Sequence, residues 1–168
     1  MTWVSKQEYR QSSIGIVGLT LNPAFLREIK EDNIAFRDML EQNLLLVSRR
    51  PLPLIRDLSD RLALLRDALE SYFALEEFYG YFRHTHDLDP VVTNKANTLR
   101  TQHEKLFLQL NEIVDRSEQI LYRESAPSLT TEKIAKDFVA FYHDLIAHEQ
   151  AEIALLIDLN NREIGGSG

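Results

Sequence analysis

The chain contains no cysteine, which excludes disulfides, thiolate nucleophiles, iron–sulfur clusters and cysteine-rich zinc sites, and leaves the redox compartment open. It has no apolar run approaching the roughly 20 residues that span a bilayer. Its opening Met1-Thr-Trp-Val-Ser-Lys6 carries neither the basic start nor the apolar segment of a secretory signal. The expectation is a cytoplasmic protein with no membrane partner. Positive charge is also scarce: 19 Lys and Arg face 26 Asp and Glu, for a formal charge of -7. No basic patch is present, so the phosphate contacts that drive nucleic-acid binding through counterion release are missing. Strand patterning, internal repeats and low-complexity segments are absent as well.

What is present is ordinary for a single globular domain: 168 residues, 44% hydrophobic and 27% charged, long enough to bury one sizeable core. Residues 1–21 carry no helical stripe. Their segment Ile14-Gly-Ile-Val-Gly-Leu-Thr-Leu21 reads as an extended arm lying on the domain, with a homodimer contact as the alternative use of an exposed apolar segment. Asn22-Pro23 is a helix start, because an Asn side chain caps a free N–H and proline at the first turn loses no hydrogen bond. The first helix then runs to about Arg49 with the stripe Leu26, Ile29, Asn33, Phe36, Leu40, Leu44 and Val47.

After Pro51 and Pro53, a second helix shows Leu54, Leu58, Leu62, Leu65, Leu69, Tyr72, Glu76 and Tyr79 at spacings of three and four. The polar stretch His84-Thr-His-Asp-Leu-Asp-Pro90 closes it, with His84 and His86 as a minor candidate for a surface metal. A third helix from about Val91 to Glu124 buries Leu99, His103, Leu106, Leu110, Ile113 and Ile120. A fourth, from about Thr131 to Asn161, buries Ile134, Phe138, Phe141, Leu145, His148, Glu152, Leu155 and Leu159. Four such helices with short connections specify an all-α, antiparallel up-down-up-down bundle over residues 22–164, followed by a flexible tail at 165–168.

Six stripe positions are polar where leucines are expected: Asn33, Tyr72, Glu76, His103, His148 and Glu152. Each lies on the order of 11 to 25 residues from its connecting turn, and with 1.5 Å of rise per residue they can meet in one layer. Buried polar groups need partners or a metal. Two imidazoles and two carboxylates suit one divalent ion, iron, zinc or manganese, with charge balance. The same groups could instead close a metal-free network, with protonated His103 and His148 paired to Glu76 and Glu152. Glu70, Glu77, Glu149 and His143 fall off the stripes and read as solvated.

These residues resemble the hemerythrin-like, or HHE cation-binding, domain family. Phe25-Leu-Arg-Glu-Ile-Lys-Glu-Asp-Asn33 is similar to its first-helix motif, with Asn33 in place of a ligand histidine. Tyr72-Phe-Ala-Leu-Glu76-Glu is similar to its His-Phe-x-x-Glu-Glu motif, with Tyr72 in place of histidine and Glu76 at the bridging carboxylate. Gln102-His103-Glu-Lys-Leu-Phe107 keeps one histidine and has Phe107 where a second often stands, and His148-Glu-Gln-Ala-Glu152 matches the fourth-helix histidine and carboxylate. Glu163-Ile-Gly-Gly166 resembles a tail common after that helix. The resemblance covers most of residues 22–166. It implies a four-helix bundle whose di-iron centre has lost the ligands of one iron and keeps Glu76, His103, His148 and Glu152 for the other.

Two functions follow as expectations. One is a metal-binding protein with a mononuclear site, used for sensing, storage or small-molecule binding and not for reversible dioxygen carriage. The other is a metal-free scaffold or regulatory module whose former site is a buried polar network. An enzyme such as an oxidase or hydrolase using the same group is a third and weaker expectation. Two carboxylates beside two histidines could do acid–base chemistry, but the residues include no nucleophile motif and no phosphate-binding glycine loop, and fold resemblance alone does not establish activity.

Overall fold

A computed structural model of the chain describes residues 18–84, 89–122 and 130–166. Within them helices predominate: α1 Pro23–Asp32, α2 Ile34–Ser48, α3 Ile55–Leu75, α4 Pro90–Tyr122 and α5 Thr131–Gly165. The side chain of Asn22 accepts from the Phe25 N–H at 3.2 Å with Pro23 opening α1, and Thr130 caps α5 by accepting from Lys133 N–H at 3.1 Å. α2 packs on α3 and α5, and α4 packs on the same two, closing a ring of four helices around a core. Leu58, Leu62, Leu65, Leu69, Leu110, Ile134, Phe138, Phe141 and Leu145 are fully buried there. Each leucine so placed contributes about 1.5–3 kcal/mol of transfer free energy. No helix among the described residues is long and apolar enough to cross a membrane.

Three features depart from the sequence reading. The first helix is broken: α1 ends at Asn33, whose backbone (φ -93, ψ 43) leaves the helical region, and α2 starts at the next residue. The carbonyl of Lys30, released by this break, accepts from the Arg37 guanidinium at 2.6 Å. The second helix stops its regular course at Leu75 and continues as one π-helical turn, Glu76–Gly80. Tyr79, expected in the core, is therefore 47% exposed, and its ring stacks against that of Phe25.

Strands were not expected, yet β1, Gly18–Leu21, pairs antiparallel with β2, Tyr81–His84, in the register Leu21 opposite Tyr81. The end of the expected arm is thus a strand, fixed to the π turn by the Asn22 N–H donating to Gly80 carbonyl at 2.7 Å. Residues 1–17, and with them most of the arm for which a homodimer contact was the alternative use, lie outside the described residues, as do His86 and the side chain of His84.

Gly80 determines how close α1 comes. A Cβ at this position would sit 2.3 Å from Cδ2 of Leu26, a distance no side chain could keep. The absent side chain lets α1 lie directly on the π turn. Lys30 follows Leu26 by four residues and so shares its face of the helix. The same close approach that buries Leu26 therefore delivers the Lys30 ammonium to Glu76.

Candidate metal centre

Glu76, from the π turn, His103, from α4, and His148 and Glu152, from α5, converge in the bundle, all buried. One ligand-type atom from each lies within 4.8 Å of the others. His148 and Glu152 are one helical turn apart, which puts them on one face. Nε2 of His103 is 3.2 Å from Glu76 Oε2 and 3.5 Å from Glu152 Oε1, and Nε2 of His148 also contacts Glu152 Oε1. These atoms are at ion-pair distance but are not aligned as hydrogen bonds. Among the described residues, Glu76 Oε2, both Nε2 atoms, both Glu152 oxygens and the hydroxyl of Tyr81 are buried without a hydrogen-bond partner.

The opposite edges of the imidazoles are well held. His103 Nδ1 lies 3.1 Å from Glu77 Oε1, and His148 Nδ1 lies 2.8 Å from Gln102 Oε1. An oxygen acceptor at Nδ1 fixes the proton there, so in the neutral ring Nε2 carries a lone pair directed at the cluster centre. Phe73 stacks on His103 with centroids 4.0 Å apart and meets His148 edge-on, while Tyr81 meets His103 edge-on. These rings leave the imidazoles little freedom to swing.

A second cation was not foreseen. The Lys30 ammonium, 10% exposed, lies 3.1 Å from Glu76 Oε1, 3.2 Å from Glu152 Oε2 and 2.8 Å from Glu149 Oε2. It also donates to the Tyr72 hydroxyl at 3.1 Å, and that phenol in turn donates to the Glu149 carboxylate at 3.1 Å. Tyr72 thus belongs to the cluster as expected, but its partners are Lys30 and Glu149. Of the residues read as solvated, Glu77 and Glu149 are partners of the cluster instead, whereas Glu70 and His143 are exposed as expected.

Asn33 sits half-buried at the α1–α2 break, outside the group of four convergent residues, and it is Lys30 from the same helix that reaches them. Phe107 is half-buried, outside the buried core. The signal that could have found Lys30 was its place beside Ile29 and four residues after Leu26, but lysines on the edge of a stripe ordinarily extend to solvent.

Charge decides what the cluster can hold. Leaving aside Glu77, which is 39% exposed at the outer edge, Glu76, Glu149 and Glu152 against Lys30 leave two negative charges if both imidazoles are neutral. A divalent ion restores balance, and the four convergent donors, two nitrogens and two carboxylates, could hold it. Without an ion, protons must take its place. Burial by itself lowers the His103 pKa, but the carboxylates of Glu152, Glu76 and Glu77 outweigh it and raise it to about 10. Burial pushes the Glu152 carboxyl up, and His103, His148 and Lys30 more than reverse this, holding it well below the usual carboxylate range. Burial, reinforced by nearby carboxylates, raises the Tyr72 and Tyr81 phenols far above their ordinary value, so both stay protonated.

Compared with models of known families, with curated proteins and with solved structures, the chain matches none of them.

Proposed function

We propose that this protein binds a single divalent metal ion on His103, His148, Glu76 and Glu152, in a hemerythrin-like up-down-up-down bundle, and uses it for sensing, storage or small-molecule binding. The observation that carries this reading is the orientation of the two imidazoles. Each has its Nδ1 edge held by an outer oxygen, and each turns Nε2 toward buried carboxylate oxygens that lack hydrogen-bond partners. Outer acceptors on metal-ligating histidines fix tautomer and ring direction in this way. The ring of helices α2 to α5 and the place of Glu76 and Glu152 between the histidines and Lys30 support the hemerythrin-type arrangement. Imidazole and carboxylate together suit iron, manganese or zinc.

The competing reading is a metal-free scaffold with a protonated network. The raised pKa of His103 and the counter-charge of Lys30 favour it, because they give the buried carboxylates partners without an ion. Elemental analysis of untagged protein from metal-supplemented medium separates the two. About one equivalent of bound metal, with a melting temperature that falls on chelation, is expected for the metal centre. No metal, and no change of melting temperature when iron, zinc or manganese is added, would leave the scaffold.

A further inference from the structure

Glu76 and Glu152 each face two ways. Oε2 of Glu76 and Oε1 of Glu152 turn toward His103 and, from Glu152, His148, whereas Oε1 of Glu76 and Oε2 of Glu152 turn toward Lys30. The Lys30 ammonium therefore lies on the far side of the same two carboxylates that border the histidine site. It is surrounded by oxygen: Glu76 Oε1, Glu152 Oε2, Glu149 Oε2 and the Tyr72 hydroxyl, all between 2.8 and 3.2 Å. Glu76 and Glu152 are 0% and 1% exposed, and both Glu152 oxygens lack hydrogen-bond partners among the described residues. A pocket of two buried carboxylates, the partly exposed Glu149 and a buried phenol is a cation site by its chemistry, since hard divalent ions take oxygen ligands of this kind.

We propose that the Lys30 ammonium is a tethered second cation. It fills an oxygen pocket that would otherwise take a second divalent ion, and so limits the centre to one metal. The proposal builds on the mononuclear reading of the histidine site and adds to it a reason for the number one. The two carboxylates bridge from the histidine site to a permanent charge carried by the chain itself. Loss of the lysine would remove the cation that faces the buried Glu76 and Glu152 and the partly exposed Glu149, a state disfavoured unless another cation enters. The ammonium comes from α1, positioned by the Leu26–Gly80 contact. The number of metals is thereby tied to the docking of α1 on the π turn.

The test is metal stoichiometry in wild type and Lys30→Ala, each equilibrated with Mn(II) and washed, then measured by mass spectrometry. Lys30→Ala is expected to hold one equivalent more than wild type. Its Mn(II) electron spin resonance should change from the spectrum of an isolated ion to that of an exchange-coupled pair, because Glu76 and Glu152 would bridge the two ions. An extra ion bound on the surface would stay uncoupled, and that result would overturn the proposal, as would equal stoichiometry in the two proteins.

If Lys30→Ala does not fold, Lys30→Ala/Glu149→Gln removes one charge of each sign and keeps Glu76, Glu152 and Tyr72 in the pocket. The same gain of one coupled ion is expected of it, and no gain overturns the proposal. Failure of the metal-centre reading is seen separately, as wild type that binds no metal at all. In that case a single ion gained on loss of Lys30 would still support the oxygen pocket, and none gained would overturn it.

Discussion

Nδ1 of His148 lies 2.8 Å from the side-chain oxygen of Gln102, one helix away. This contact decides which nitrogen of the ring can act as a ligand, because an Nδ1–H that donates to the Gln102 oxygen leaves Nε2 free in the neutral ring. Replacing Gln102 with leucine keeps the side chain's bulk and removes the acceptor. Metal affinity is expected to fall about 10–100-fold, the usual range for losing an outer partner of a ligating histidine. Competition with a chromophoric chelator measures it, and unchanged affinity in a folded variant would show that Gln102 does not orient the ring.

The pH dependence of the metal-free protein follows from two shifts of opposite sign. His103 is raised from 6.5 to about 10, so its contribution to stability is complete below pH 6.5 and disappears as the pH rises toward 10. Glu152 is lowered, so its contribution is present above its unfolded value of 4.5 and is lost on acidification. With chelator present, the urea midpoint should therefore fall between pH 6.5 and 10. A bound ion displaces the His103 proton and should remove this alkaline decline. An identical decline with and without metal would contradict the assignment of His103 as a ligand.

Glu152 meets Lys30, His103 and His148 at 1% exposure. In metal-free protein, Glu152→Ala removes the one carboxylate that Lys30, His103 and His148 share, and the expected loss is about 3–5 kcal/mol by urea denaturation. Glu70→Ala, on an exposed position of α3, should change stability by no more than about 0.5 kcal/mol. Similar small effects for both variants would mean that the cluster is not as dry as its burial indicates.

At Gly80 an added methyl group meets Cγ and Cδ2 of Leu26, at 2.6 and 2.3 Å, and Leu26 is 1% exposed and cannot swing away. Gly80→Ala should cost about 1–3 kcal/mol through overpacking. It should also lift α1 and weaken the hold of Lys30 on Glu76, so the variant's metal content reports on that coupling. A variant as stable as wild type would mean that α1 can shift without loss.

The four convergent residues were legible because each interrupts an otherwise leucine-rich stripe: Glu76 after Leu69 and Tyr72, His103 between Leu99 and Leu106, and His148 and Glu152 between Leu145 and Leu155. Lys30 was not. The stripe through Ile29, Asn33 and Phe36 averages 3.5 residues and passes smoothly over the break at Asn33, so the periodicity placed the amide inside and left the lysine to solvent. Along α2 the same register named Leu44, which packs half-buried against the core, and passed over Asn43, which is more deeply buried with its side chain donating to Met39 carbonyl at 2.8 Å.

Glu77 and Glu149 each follow a stripe residue directly, about 100° around a regular helix, and periodicity alone assigns such positions to water. What brings them back is not periodic: the irregular turn around Glu77, and the Lys30–Tyr72 pair waiting for Glu149. Short β1 and β2 carry too few residues for an alternating pattern to show.

The π turn has one more consequence. It lets two successive residues grip one ring: Glu76 reaches Nε2 of His103 and Glu77 reaches Nδ1. A π turn spans one residue more than an α turn, and Phe78, at its centre, is 78% exposed and contributes nothing to the core. Deleting that single codon would leave Glu76 and Glu77 continuous with α3 and shift the residues after them by one place, bringing Tyr81 where Gly80 now meets Leu26. The seat of α1, and with it the reach of Lys30, is therefore open to change here by chain length, in one genetic step, with every histidine and glutamate of the cluster kept.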